Sequence, residues 1–218
     1  MQTIKGILFE PVGCLAEFPA EPFLEIAARL SGRKKKMSSS GSRSYWHMLN
    51  VMETTSKDDS LEALEVEAVE CASLYEDVIP ALSELQAMGI QVAIASSLCQ
   101  RAIVHFMENR GMHAYFSSVF SRDSANGIKT VPLQKALDST FLQPCQTMFL
   151  TDTAEGLKVA RSVGVNAILM MNDPDESRRL AMHNPAGGIV SLHELPDFIK
   201  LVRAESVRPP REFPGSRP

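Results

Sequence analysis

Three polar side chains stand where apolar runs stop: Glu10 after "GILF", Ser96 after "QVAIA" and Asp152 after "TMFLT". An acid delivered to a turn by a buried strand has three readings. It is a nucleophile, a group that holds a hard cation or a hydrogen bond, or a plain strand-end acid. The stretch "GILFEPVGCL", Gly6 to Leu15, poses that choice for Glu10. The Ser96 hydroxyl suits a ligand hydrogen bond or a helix N-cap, and Asp152 suits a ligand edge or the cap of a helix beginning near Ala154. Cys14, Cys71, Cys99 and Cys145 are scattered, without a C-x-x-C pair. That spacing argues against zinc and against a disulfide framework, and predicts buried, reduced thiols. His105, His113, His183 and His193 show neither triad nor ligand spacing.

The elements that position these residues alternate. Strand-length apolar runs are "IKGILFEP", Gln91–Ser96, Ser117–Arg122, Thr147–Asp152, Asn166–Met171 and Gly187–Ser191. Most are apolar throughout, as expected of strands covered on both faces. Helical patterns separate them, with apolar residues at Val78, Leu82, Leu85 and Met88 in one, and Gly89, Gly111 and Gly164 stand at their C-termini. Strand–helix alternation predicts a doubly wound, mainly parallel α/β sheet, whose ligands sit at the C-terminal ends of the strands. Glu10, Ser96 and Asp152 fall at those ends. Residues 16–75 break the pattern: "EPFLEIAARL", "YWHMLNVMETT" and "SLEALEVEAVECASL" read as helices, and "SGRKKKMSSSGSRS" as a loop. The expected organisation is a core of residues 1–15 and 76–203, an all-helical insert at 16–75 and a disordered, Pro- and Arg-rich tail at 204–218.

Composition narrows the function classes. The 218 residues are 44% apolar and 22% charged, with a net charge of -4. That balance predicts a globular chain and argues against broad nucleic-acid binding. No apolar run is long enough to span a bilayer, and the N-terminus lacks a basic-then-apolar signal, so a cytoplasmic location is expected.

In order, spacing and strand context, four segments resemble the haloacid dehalogenase (HAD) superfamily. The resemblance is greatest to its branch with phosphoglycolate phosphatase and beta-phosphoglucomutase, in which a helical cap follows the first strand. The family's first motif is an apolar strand ending D-x-D-G-T-L; here it reads Glu10-Pro11-Val12-Gly13-Cys14-Leu15. The second, a strand ending in Ser or Thr, is matched by "VAIASS" with Ser96 in place. The third, a Lys often followed by Pro-x-Pro, is matched by Lys129 and Pro132 in "GIKTVPLQKAL". The fourth, a strand ending in acids, is matched by "LTDTAEGLKVARSVGV", with Asp152, Thr153 and Gly156 in register.

The resemblance implies a role for each position. Glu10 occupies the place of the nucleophilic, Mg²⁺-binding Asp. Its extra methylene shifts the oxygens, and a misplacement of about 1 Å can cost roughly a hundredfold in rate. Val12 occupies the place of the general acid and cannot transfer a proton, a contribution of about 10²–10⁴. Ser96 and Ser97 are the expected phosphate donors, and Lys129 is the expected charge neutraliser. Asp152 and Glu10 are the candidate metal ligands, while Thr151 is a poor one, so Mg²⁺ binding is expected to be weak or absent.

In the insert, Arg33 to Lys36 form a basic run ahead of Tyr45-Trp46-His47. It reads as a solvated hinge or as a surface for a phosphorylated ligand, an acidic protein or nucleic acid. Trp46, Met48, Leu49 and Met52 are expected on the insert's apolar face. The sequence therefore predicts a HAD-like pseudo-hydrolase acting by binding a small phosphorylated ligand or a protein, with neither nucleic acid nor membrane as partner. The alternative is an active Mg²⁺-dependent phosphatase.

Overall fold

In the computed structural model, residues 3–32, 40–55, 61–125 and 131–207 are described. Among them, six strands form one sheet: β1 (Gly6–Phe9), β4 (Gln91–Ala95), β5 (Ser118–Phe120), β6 (Thr147–Thr151), β7 (Asn166–Met170) and β8 (Gly187–Ile189). Their order is β5-β4-β1-β6-β7-β8, and every neighbouring pair is parallel. β1 is central: Gly6 is in register with Gln91 on one side and Thr147 on the other. Its four residues are all buried, which explains why it is apolar without alternation.

Helices α4 (Val78–Ala87), α5 (Gln100–Asn109), α6 (Leu133–Thr140), α7 (Ala154–Ser162), α8 (Pro174–Leu180) and α9 (Leu195–Val207) flank the sheet. α4 buries Val78, Ala81, Leu82 and Leu85, one helical face. Gly89, Gly111 and Gly164 all take left-handed backbone at helix ends, a conformation that costs other residues a clash at Cβ. The short α8 carries no strong apolar period and was not legible in the sequence. It starts instead on Asp173, whose carboxylate accepts from the Asp175 and Glu176 amides.

The segment between β1 and α4 holds three helices, α1 (Glu21–Ser31), α2 (Gly41–Thr55) and α3 (Leu61–Cys71). An antiparallel pair, β2 (Ala16–Glu17) with β3 (Ser73–Leu74), forms its stem, with Ala16 opposite Leu74. Ser73 and Leu74, expected to be helical, thus leave the helix to close this stem. α2 starts earlier than the sequence indicates, so Gly41–Ser44 is helix and not loop. The cause is tertiary: the Gly41 amide donates to Glu17 Oε1 (3.2 Å), and Ser42 and Ser44 are buried. Trp46, Met48, Leu49 and Met52 are buried as expected. Rings join the helices to one another and to the core: Phe23 lies 5.2 Å from Tyr45 and Phe18 6.0 Å from Phe106.

Other expectations need correction or lie out of view. No disulfide joins the four cysteines, but only Cys14 and Cys99 are buried; Cys71, the last residue of α3, and Cys145 face solvent. α9 runs to Val207, into the segment expected to be a tail, and residues 208–218 lie outside the described residues. So do the basic run Arg33–Lys36 and Lys129.

Candidate functional site

Glu10, Ser96 and Asp152 follow the C-terminal ends of β1, β4 and β6, three neighbouring strands of the sheet. Strand pairing continues one residue beyond β1 and β4: the Glu10 amide donates to the Leu150 carbonyl (3.2 Å) and the Ser96 amide to the Phe120 carbonyl (2.9 Å). The side chains are thereby aimed at one edge of the sheet. There Ser96 Oγ donates to Glu10 Oε1 at 2.5 Å, and the Ser97 amide donates to Oε2 at 3.3 Å. The donors expected to hold a phosphate therefore hold the Glu10 carboxyl. Glu10 is 1% exposed, and burial pushes its carboxyl up to about 8 against the lowering effect of these two bonds. The Ser97 hydroxyl is buried and has no hydrogen-bond partner among the described residues.

After Glu10 the chain coils tightly. The Pro11 carbonyl accepts from the Cys14, Leu15 and Ala16 amides, and Val12 is buried. Gly13 adopts φ +78°, and a Cβ there would lie 2.1 Å from Asp152 Oδ2. Asn172, beyond the end of β7, bridges the turn and the acid: its Nδ2 donates to the Gly13 carbonyl (2.6 Å) and to Asp152 Oδ2 (3.3 Å). Ser42 of α2 donates to the same Oδ2 at 2.5 Å. Burial lifts the Asp152 carboxyl to about 7, opposed by the Ser42 and Asn172 bonds. The Thr153 hydroxyl, not Asp152, caps α7 by accepting from the Gly156 amide (3.1 Å). Asp152 lines a cleft of about 290 Å³ between α2 and α8, beside Ser42, Arg43, Trp46, Asn172 and Glu176. Glu10 does not line it.

Sequence reasoning missed Ser42, Asn172 and a buried ionic cluster. Glu65 of α3 is fully buried and pairs with Arg122, just past β5. Glu65 has a visible signature: it stands four residues after Leu61 and three before Ala68, on the face that α3 buries. Ser42 and Asn172 carry no such mark.

Hard cations take about six oxygen ligands, typically with more than one carboxylate. Here the Glu10 oxygens are engaged by Ser96 and Ser97, and Asp152 Oδ2 by Ser42 and Asn172, leaving Asp152 Oδ1 without a partner. No three acid, His or Cys side chains converge among the described residues.

Residues 27–170 match the family model for haloacid dehalogenase-like hydrolases. The chain belongs to that family. It is 23% identical over 146 residues to a phosphoglycolate phosphatase of Pseudomonas savastanoi pv. phaseolicola, covering 66% of this chain and 54% of that one. The chain thus spans about half the length of that curated relative. Its fold is similar to a conserved haloacid dehalogenase-like protein of unknown function from Agrobacterium tumefaciens (TM-score 0.68, 18% identity, covering 91% of this chain and 99% of that one). It is also similar to a predicted phosphoglycolate phosphatase from Haemophilus somnus (TM-score 0.66, 15% identity, 91% and 99% covered). Within this HAD-like fold, the edge that carries Glu10, Ser96 and Asp152 is the edge where parallel α/β sheets bind ligands.

Proposed function

We propose that this chain is a catalytically impaired HAD-like protein that acts by binding a small phosphorylated ligand or a protein partner. One observation carries the reading: the Glu10 carboxyl is buried, with both oxygens taken by Ser96 and Ser97. A nucleophilic carboxylate must be ionised and reach its target in line. Glu10 is held protonated at neutral pH and spends its reach on the chain's own donors. Val12, apolar and buried, supplies no proton to a leaving group. Mg²⁺ binding is weak or absent on this reading, because Asp152 offers one open oxygen and Thr151 adds no charge. A cytoplasmic location suits such a role; among the described residues no helix is long and apolar enough to cross a membrane.

The competing reading is an active Mg²⁺-dependent phosphatase, favoured by the similarity to phosphoglycolate phosphatases and by the open Asp152 Oδ1. A phosphomonoester panel with Mg²⁺ separates the two. The wild type is expected to show no turnover, and folded Glu10→Asp/Val12→Asp to gain some. Robust wild-type turnover abolished by Glu10→Ala would sink the impaired reading.

A further inference from the structure

Among the described residues, the buried acidic and basic residues are Glu10, Glu65 and Arg122. Two of these meet across the boundary between the helical insert and the sheet. Glu65 comes from α3 and Arg122 from the turn after β5. Glu65 Oε1 accepts from Arg122 Nη1, and Oε2 accepts from the Cys99 amide at 3.0 Å. The Tyr45 hydroxyl, from α2, lies 2.8 Å from Glu65 Oε1 and 3.1 Å from the Ser97 carbonyl. Arg122 Nη1 donates to that same carbonyl at 3.0 Å. Two helices of the insert and the turn after β5 therefore converge on residues 97–99. This is the loop whose Ser97 amide, next to Ser96, holds Glu10.

We infer that Glu65 and Arg122 pin the insert to the core in one orientation and act as positioning residues for the loop that binds Glu10. The insert is then a fixed part of the fold and not a lid. Buried ion pairs contribute little net stability against apolar replacements of similar size, and their best-attested use is to set register. The geometry has that character. Each bond is directional, each partner is buried, and lifting the insert away would break the bonds to Cys99, Ser97 and Arg122 together. Apolar packing alone, such as Phe18 against Phe106, tolerates sliding; this cluster does not. The inference does not depend on whether the protein turns over a substrate.

The chain's single tryptophan makes the test direct. Trp46 lies on α2, is 4% exposed and borders the cleft between the insert and α8. In the wild type, acrylamide is expected to quench Trp46 weakly, and the amides of residues 97–99 to exchange slowly. Glu65→Ala is expected to raise quenching several-fold and to speed exchange at 97–99 by at least about tenfold, with β6 and β7 unchanged. Should that variant fail to fold, Glu65→Met/Arg122→Met removes both charges at once. It is expected to stay folded by circular dichroism and to loosen in the same two readouts. Quenching in the wild type at the rate of free tryptophan overturns the inference. So does a folded double variant with wild-type quenching and wild-type exchange at 97–99.

Discussion

The Ser96 hydroxyl lies 2.5 Å from Glu10 Oε1, joining the ends of two neighbouring strands, β4 and β1, through their first residues beyond the sheet.

Replacing Ser96 by Ala leaves Glu10 with the Ser97 amide and deprives the Leu98 amide of the Ser96 oxygen it donates to at 3.1 Å. We expect a loss of about 1–3 kcal/mol in urea unfolding at pH 6. Since the Ser96 bond lowers the Glu10 pKa, the carboxyl should titrate above its wild-type value of about 8 in ¹³C NMR.

Glu10 also sets a pH dependence. Its pKa rises from an ordinary 4.5 when unfolded to about 8 when folded. Between those values the folded state binds a proton that the unfolded state lacks, so stability falls as pH rises. The contribution is fully present below the unfolded pKa and lost as pH passes the folded one. Relative to Glu10→Gln, the wild type should lose about 1.4 kcal/mol per pH unit between pH 5 and 8. Chemical denaturation of both proteins across that range measures the difference; parallel curves would contradict it.

Gly13→Ala should be strongly destabilising. Left-handed backbone costs an L-residue about 1–2 kcal/mol, and the added Cβ would meet Asp152 Oδ2 at 2.1 Å. The melting temperature should drop. Adding Asp152→Ala should recover the part due to the clash and leave the backbone part.

Val12→Asp places an acid at a site that is 1% exposed. We expect a cost of about 2 kcal/mol or more, read from the urea midpoint. The same penalty should appear in Glu10→Asp/Val12→Asp, which makes its folded fraction the control for any gain in turnover.

For the buried pair, Glu65→Ala should cost about 3–5 kcal/mol because it strands Arg122, whereas Glu65→Met/Arg122→Met should lie near the wild type. Urea unfolding of the two variants gives the comparison.

Much of the fold is written in local pattern. The inner strands β1, β4, β6 and β7 are mostly apolar and almost wholly buried because both of their faces are covered, and the glycines at 89, 111 and 164 mark helix ends that need left-handed backbone. Those signals lie within a few residues of one another, so the sequence alone determines the parallel α/β sheet, the helical insert and the delivery of Glu10, Ser96 and Asp152 to one edge. What these groups do to each other is not local. Ser42 and Asn172 reach Asp152 across 110 and 20 positions of chain, and Glu65 meets Arg122 across 57. Docking of the insert onto the sheet brings Ser42 to Asp152 and Glu65 to Arg122, and the parallel pairing of β6 with β7 brings Asn172 beside Asp152. Burial, which no single residue reveals, raises the carboxyls of Glu10 and Asp152, and the Ser96 and Ser97 donors are engaged by Glu10.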